Sequence, residues 1–157
     1  MGHHRAAARG WTEEERVEAA RARVSTVSLL AHAPALAGAL GPRFREDLPA
    51  ETFVVRGEEG VFAVEGRGAL RGNSCSVLPL ALLLPLPAAV RLRIHLTAAA
   101  EVVQGFATEI LGRPWPARDA QSHVRVTSAA IDIWYGPADL TVAALALRPI
   151  ARAEIGV

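Results

Sequence analysis

Apolar positions along the chain repeat at two spacings, one helical and one alternating. Val17, Ala20, Val24, Val27 and Ala31 recur at steps of three and four, the rhythm of a helix with one buried face. Thr12 followed by Glu15 marks its start, since the hydroxyl can accept an orphan amide while the carboxylate reaches back. Glu13, Glu14 and Glu15 fill the first turn, where the helix dipole favours negative charge. Pro34 disfavours helical geometry in the residue before it and predicts a stop near His32. Pro34–Leu40 reads as a second, short helix closed by Gly41 and Pro42, with Arg43–Ala50 as a charged connection.

The alternating pattern begins at Phe53. Phe53, Val55, Phe62 and Val64 share one face of a hairpin whose turn lies within Gly57–Gly60. Pairing outward from that turn sets Arg56 against Val61, Val55 against Phe62 and Phe53 against Val64. Gly66–Asn73 reads as a glycine-rich loop. Val77–Val90 has no charge and carries Pro79, Pro85 and Pro87, so it predicts irregular or extended buried core, with a face for a partner as the alternative. Val90–Leu96 alternates again and predicts a strand. A helix then runs from an N-cap at Thr97 through Ala99, Val102, Val103, Phe106, Ile110 and Leu111, ended by Gly112 and Pro114.

The last third reads as a three-stranded meander. A turn at Ser128-Ala129 pairs Val126 with Ile131, Val124 with Ile133 and Ser122 with Tyr135. The opposite face then pairs Arg125 with Asp132 and His123 with Trp134. A second turn at Gly136–Asp139 pairs Tyr135 with Leu140, Ile133 with Val142 and Ile131 with Ala144. Arg148-Pro149 ends the strand, and the tail to Val157 is expected to be extended. The element order is α-α-β-β-β-α-β-β-β. It predicts an α+β fold with an antiparallel sheet of about five to six strands, an N-terminal helix and a central helix. Residues 1–10 read as a disordered leader and residues 11–157 as a single domain.

Composition narrows the functional classes. All seventeen basic residues are arginine, against sixteen acidic ones, for a net charge of +1. Without lysine there is no P-loop, Schiff-base or general-base lysine. The near-neutral charge and dispersed arginines predict no nucleic-acid binding. Val24–Gly41, downstream of Arg21 and Arg23, has the apolar character of a signal core. The glutamates at 13, 14, 15 and 18 ahead of it are unlike the short basic start of an export signal. Val77–Val90 is shorter than the roughly 20 residues of a spanning helix, so no membrane span is expected. Cys75 is the only cysteine, which excludes an intramolecular disulfide and fits a cytoplasmic location.

Candidate chemistry is sparse. Gly66–Gly72 has the spacing G-x-G-x-x-x-G, one residue longer than a dinucleotide fingerprint, and reads as a flexible turn in which Arg67 and Arg71 are the anion-binding alternative. Cys75 lacks a neighbour in sequence that would lower its pKa and reads as inert. His32, His95, His123, Asp132, Asp139, Glu101 and Cys75 show no metal-ligand spacing, so neither metal nor cofactor is expected. The most distinctive constellation is the polar face of the meander, His123, Arg125, Asp132, Trp134 and Thr141. It reads as a solvated face with a salt bridge or, more sharply, as a recognition surface, because Trp and Arg dominate binding hot spots. Trp115, between two prolines, either caps the core beneath the helix end or anchors a partner.

By element order alone the chain resembles the secretion-chaperone-like α+β fold. That resemblance implies a small, dimeric, non-enzymatic protein that holds extended segments of other proteins. The apolar excess of Val77–Val90, Leu36–Leu40, Trp115 and Trp134 supports a protein-interaction domain that binds another protein or itself as a homo-oligomer. The expected binding residues are His123, Arg125, Asp132, Trp134 and Trp115. The alternative is a carrier of a small apolar ligand, or a small enzyme, with a pocket between the sheet and the central helix and His95, His123, Asp132 or Tyr135 at its mouth.

Overall fold

A computed structural model describes residues 12–17 and 29–157. Residues 13–17 are helical, and the expected capping pair is formed: the Thr12 amide donates to Glu15 Oε2 at 2.8 Å and the Glu15 amide to Thr12 Oγ1 at 3.2 Å. Val17 is exposed at 41%, and Ala31 is exposed too. The Ala20, Val24 and Val27 positions of the predicted stripe, like the leader, lie outside the described residues.

The fold is α+β, with helices and two antiparallel sheets. Helix α1 spans Ala33–Asp47 and runs straight through Gly41 and Pro42 instead of stopping there. Gly41 has no Cβ to collide with the proline ring, so the usual bar on helical geometry before proline is relaxed. Of the segment Arg43–Ala50, expected to be a charged connection, residues 43–47 therefore continue α1 and bury Arg43 and Phe44.

The first sheet has the order β1-β2-β3, from Phe53–Glu58, Val61–Gly66 and Ser74–Val77. Its hairpin turn is shorter than expected. Glu59 and Gly60, with φ of 52° and 82°, form a two-residue turn, the type that requires left-handed geometry at both central positions. Val55 therefore pairs with Val64 and Gly57 with Phe62. This differs from the predicted register by two residues, an even slip that leaves every side chain on its predicted face. Phe53, Val55, Phe62 and Val64 are all buried. Gly57 lies against the backbone of α1: a Cβ there would sit 2.1 Å from the Ala37 carbonyl oxygen. Phe44 of α1 meets Phe62 of β2 with ring centroids 5.2 Å apart.

Helix α2 spans Ala88–Leu111 and absorbs the strand expected at Val90–Leu96. The alternation of Val90, Leu92, Ile94 and Leu96 misleads because two polar residues occupy the buried stripe. Arg91 and His95 are buried with Leu92, Leu96, Ala99, Ala100, Val103 and Ala107, while Ile94 is exposed. Thr97 is thus mid-helix, not an N-cap. Gly112, at φ 68°, closes the helix in left-handed geometry as expected.

The second sheet joins β4 (Gln121–Val126), β5 (Ala130–Gly136) and two short strands, β6 (Leu145–Ala146) and β7 (Ile150–Ala151), which both pair with β5. The β4–β5 register matches the predicted one at every pair named above. The third strand does not match. Tyr135 pairs with Leu145, and Ile131 with Ile150. The Tyr135 pairing slips by five residues, an odd number, so the expected faces reverse there: Val142 is 59% exposed while Leu147 is buried. The Ile131 pairing slips by six, an even number, and Ile150 is buried on the predicted face. Residues 137–144 make a longer connection around a 3-10 turn, Leu140–Val142, where Asp139 Oδ1 accepts from the Thr141 amide and hydroxyl. The tail is not extended throughout, because Arg152–Ile155 form a helical turn that buries Ile155.

Arg43 joins the two ends of the described fold. Its guanidinium donates to the Ala39, Arg148 and Pro149 carbonyl oxygens, each at 2.8 Å, and to both oxygens of Glu154 at 3.1 and 2.9 Å. It is 2% exposed. Burial of a guanidinium is tolerated because five donated bonds replace its hydration.

Candidate functional site

The structure brings four of the five sequence-predicted binding residues together on β4 and β5. His123 stands opposite Trp134, and Arg125 opposite Asp132. The imidazole stacks on the indole with centroids 5.2 Å apart and planes 24° apart. Arg125 donates to Asp132 Oδ2 from Nε and NH2 at 3.1 and 2.8 Å, and its guanidinium carbon lies 5.8 Å from the Trp134 ring centre. Trp134 Nε1 donates to the Pro137 carbonyl at 2.9 Å, and His123 Nε2 donates to that of Gly136 at 2.8 Å. His123 and Arg125 thus cover the indole, which is only 5% exposed. Thr141 is not part of the group, being bonded to Asp139 in the following turn.

Trp115, the fifth residue, lies elsewhere. It is buried against Tyr135 with centroids 5.3 Å apart, and its amide donates to Thr108 Oγ1 at 3.1 Å. It therefore closes the core below the end of α2.

A cleft of about 410 Å³ opens beside His123, lined among others by Arg118, Asp119, Gly136 and Pro137. It is a surface depression that no cysteine, serine or threonine lines. Between α2 and the second sheet, the fully buried Tyr135 reaches across to donate to the Ala100 carbonyl at 2.7 Å, and burial pushes its phenol pKa far up. Tyr135 is thus a packed core residue rather than a group at a pocket mouth. Buried His95 has its pKa lowered by loss of hydration, which favours the neutral ring. Cys75 is half-buried, and burial raises its thiol pKa, the opposite of what activates a nucleophile. Among the described residues no three His, Cys, Asp or Glu side chains are grouped to hold a metal.

The largest departure from the expected core is the segment after β3. Val77 and Leu82 are buried, but Leu78, Leu80, Leu83, Leu84 and Leu86 are 53%, 63%, 47%, 39% and 38% exposed. The expectation of a buried run fails because a 3-10 helix, Pro79–Leu83, with prolines on both sides presents only Leu82 inward. Buried Arg91 holds the segment from below, donating from NH1 to the Leu82 carbonyl at 2.9 Å. Ile94, one turn beyond Arg91 on α2, is 37% exposed. The sequence marks Val77–Val90 as part of the apolar excess that favours an interaction domain, yet reads the run itself as buried core; the signal for its exposure is the density of prolines, which keep a run of leucines from folding into a helix with one buried face.

No helix among the described residues is long and apolar enough to cross a membrane. Comparison with known proteins finds no matching family model, no matching curated protein and no matching solved structure.

Proposed function

We propose that this chain is a non-enzymatic protein-interaction domain that docks partners on the Leu78–Leu86 segment. The observation that carries this reading is the exposure of five leucines within nine residues. Contiguous exposed apolar surface of this kind is costly in water and marks binding sites on soluble domains. The segment is held in place by the Arg91–Leu82 bond, so it presents a preformed shape and loses little entropy on docking. The polar group around Trp134 supports the reading less, because its aromatic surface is already covered by His123 and Arg125.

The test is site-specific photocrosslinking in the native cell. A photoreactive phenylalanine replaces Leu80 in one strain and Val142 in another, both being exposed apolar positions. Discrete adducts at position 80 that are absent at 142 are expected. An absence of adducts at position 80 overturns the reading.

A further inference from the structure

β3 is an edge strand: its inner side pairs with β2, and no strand among the described residues pairs with its outer side. Alternate residues of a strand point their N–H and C=O groups to opposite edges, so β3 carries backbone donors and acceptors facing outward. Natural proteins usually guard such an edge with lysine, proline, a bulge or an inward charge. The outer strands β1 and β4 carry Arg56, Glu58, His123 and Arg125, while the uncharged outer strands β6 and β7 are only two residues long, too short to template a partner strand. Ser74-Cys75-Ser76-Val77 carries neither charge nor proline, and Ser74 and Ser76 are exposed.

We infer that β3 pairs antiparallel with β3 of a second copy about a two-fold axis at Cys75 or Ser76, making one six-stranded sheet. This rests on the docking reading above and names the partner. Antiparallel pairing of a strand with itself is self-complementary, as a two-fold interface requires. The stretch from Asn73 through Val90 has no charged residue, so identical surfaces meet without like-charge opposition. A foreign partner recognised by charge would find nothing to read there.

Strand direction carries each chain past the partner's Asn73 by Leu80 for either axis, so each leucine segment is laid over the partner's 68–72 loop, whose one charge, Arg71, meets no like charge there. A strand of four residues contributes few bonds, and the leucines supply the area. Five exposed leucines at roughly 80 Å² each give on the order of 400 Å² per copy and 800 Å² for the pair, to which the strand edges and the covered 68–72 loops add; a stable complex buries about 1,200 Å² or more.

Sedimentation of the full chain tests this. The native chain is expected to sediment as a dimer at micromolar concentration. Ser76→Lys and Ser76→Glu each place like charges across the two-fold and are expected to weaken dimerisation roughly tenfold or more, with unchanged circular dichroism. An equimolar mixture of the two variants is expected to recover the dimer, because opposite charges then face each other. In a Cys75→Ser, Ser76→Cys chain, a short bis-maleimide is expected to give a covalent dimer. A monomeric native chain, or a dimer indifferent to charge at position 76, overturns the pairing. So does a mixture of folded variants that stays monomeric. If the chain is monomeric while Leu80 still crosslinks to other proteins, only the self-pairing falls; if Leu80 yields no adduct at all, the docking reading falls as well.

Discussion

Three residues carry consequences out of proportion to their size. Gly57 lies so close to α1 that a methyl group would overlap the Ala37 carbonyl. Gly57→Ala is therefore expected to destabilise the fold at the upper end of the ~1–3 kcal/mol typical of overpacking, read from urea denaturation. Trp134 and its polar neighbours separate two roles. Trp134→Ala removes a buried indole and is expected to cost about 3–5 kcal/mol, whereas Asp132→Ala breaks a pair whose arginine is 55% exposed and is expected to cost under about 1 kcal/mol. Comparable losses for both variants would show that the ion pair is structural. Arg43 makes a similar contrast. Arg43→Met strands buried carbonyls and is expected to cost about 3–5 kcal/mol, while Glu154→Gln leaves the three carbonyl bonds in place and is expected to cost under about 1 kcal/mol.

Among the elements, α2 supplies the pH dependence. Burial lowers the His95 pKa from 6.5, so the folded chain resists a proton that the unfolded chain accepts. Stability is then at its full value well above pH 6.5 and falls as the pH drops through 6.5, where the unfolded chain takes up the proton first. His95→Met is expected to flatten that slope in denaturation midpoints measured across that fall. Glu154 acts lower: the hydrogen bonds and charge of Arg43 hold its carboxyl below the ordinary range, so its contribution is present at neutral pH and is lost only in stronger acid.

The same elements show what the residues alone could and could not reveal. The β4–β5 register was legible because both faces impose it, apolar pairs on one side and Arg125–Asp132 on the other. β1–β2 was legible by face but not by register, since Glu59 adopts a left-handed geometry that few non-glycine residues take. The start of α2 was not legible, because Arg91 and His95 look like solvent-facing residues until burial is known. The polar cluster of the candidate site followed from register, yet the covering of Trp134 by His123 required side-chain geometry. The exposure of the leucines depended on how the prolines turn the chain, which hydrophobicity does not encode.

For the whole molecule, the described core draws on α1, α2 and both sheets. Leaving Leu78–Leu86 in water while filling that core is the imbalance that the docking reading explains. Replacing Leu80 and Leu83 together by glutamate is expected to leave the thermal midpoint within about 2 °C, because both side chains are largely exposed, while abolishing photocrosslinking from a neighbouring probe at Leu78. A large drop in the midpoint would mean that the segment belongs to the core instead.

Four of the five bonds that Arg43 donates go to residues 105 to 111 further along the chain. During synthesis on the ribosome α1 therefore emerges with a cation destined for burial, long before the acceptors at Arg148, Pro149 and Glu154 exist. The first helix and the first sheet can associate early, but sealing that site must wait until residue 154 has left the exit tunnel. A nascent chain stalled before Arg148 should consequently remain sensitive to proteases around Arg43, and release should abolish that sensitivity.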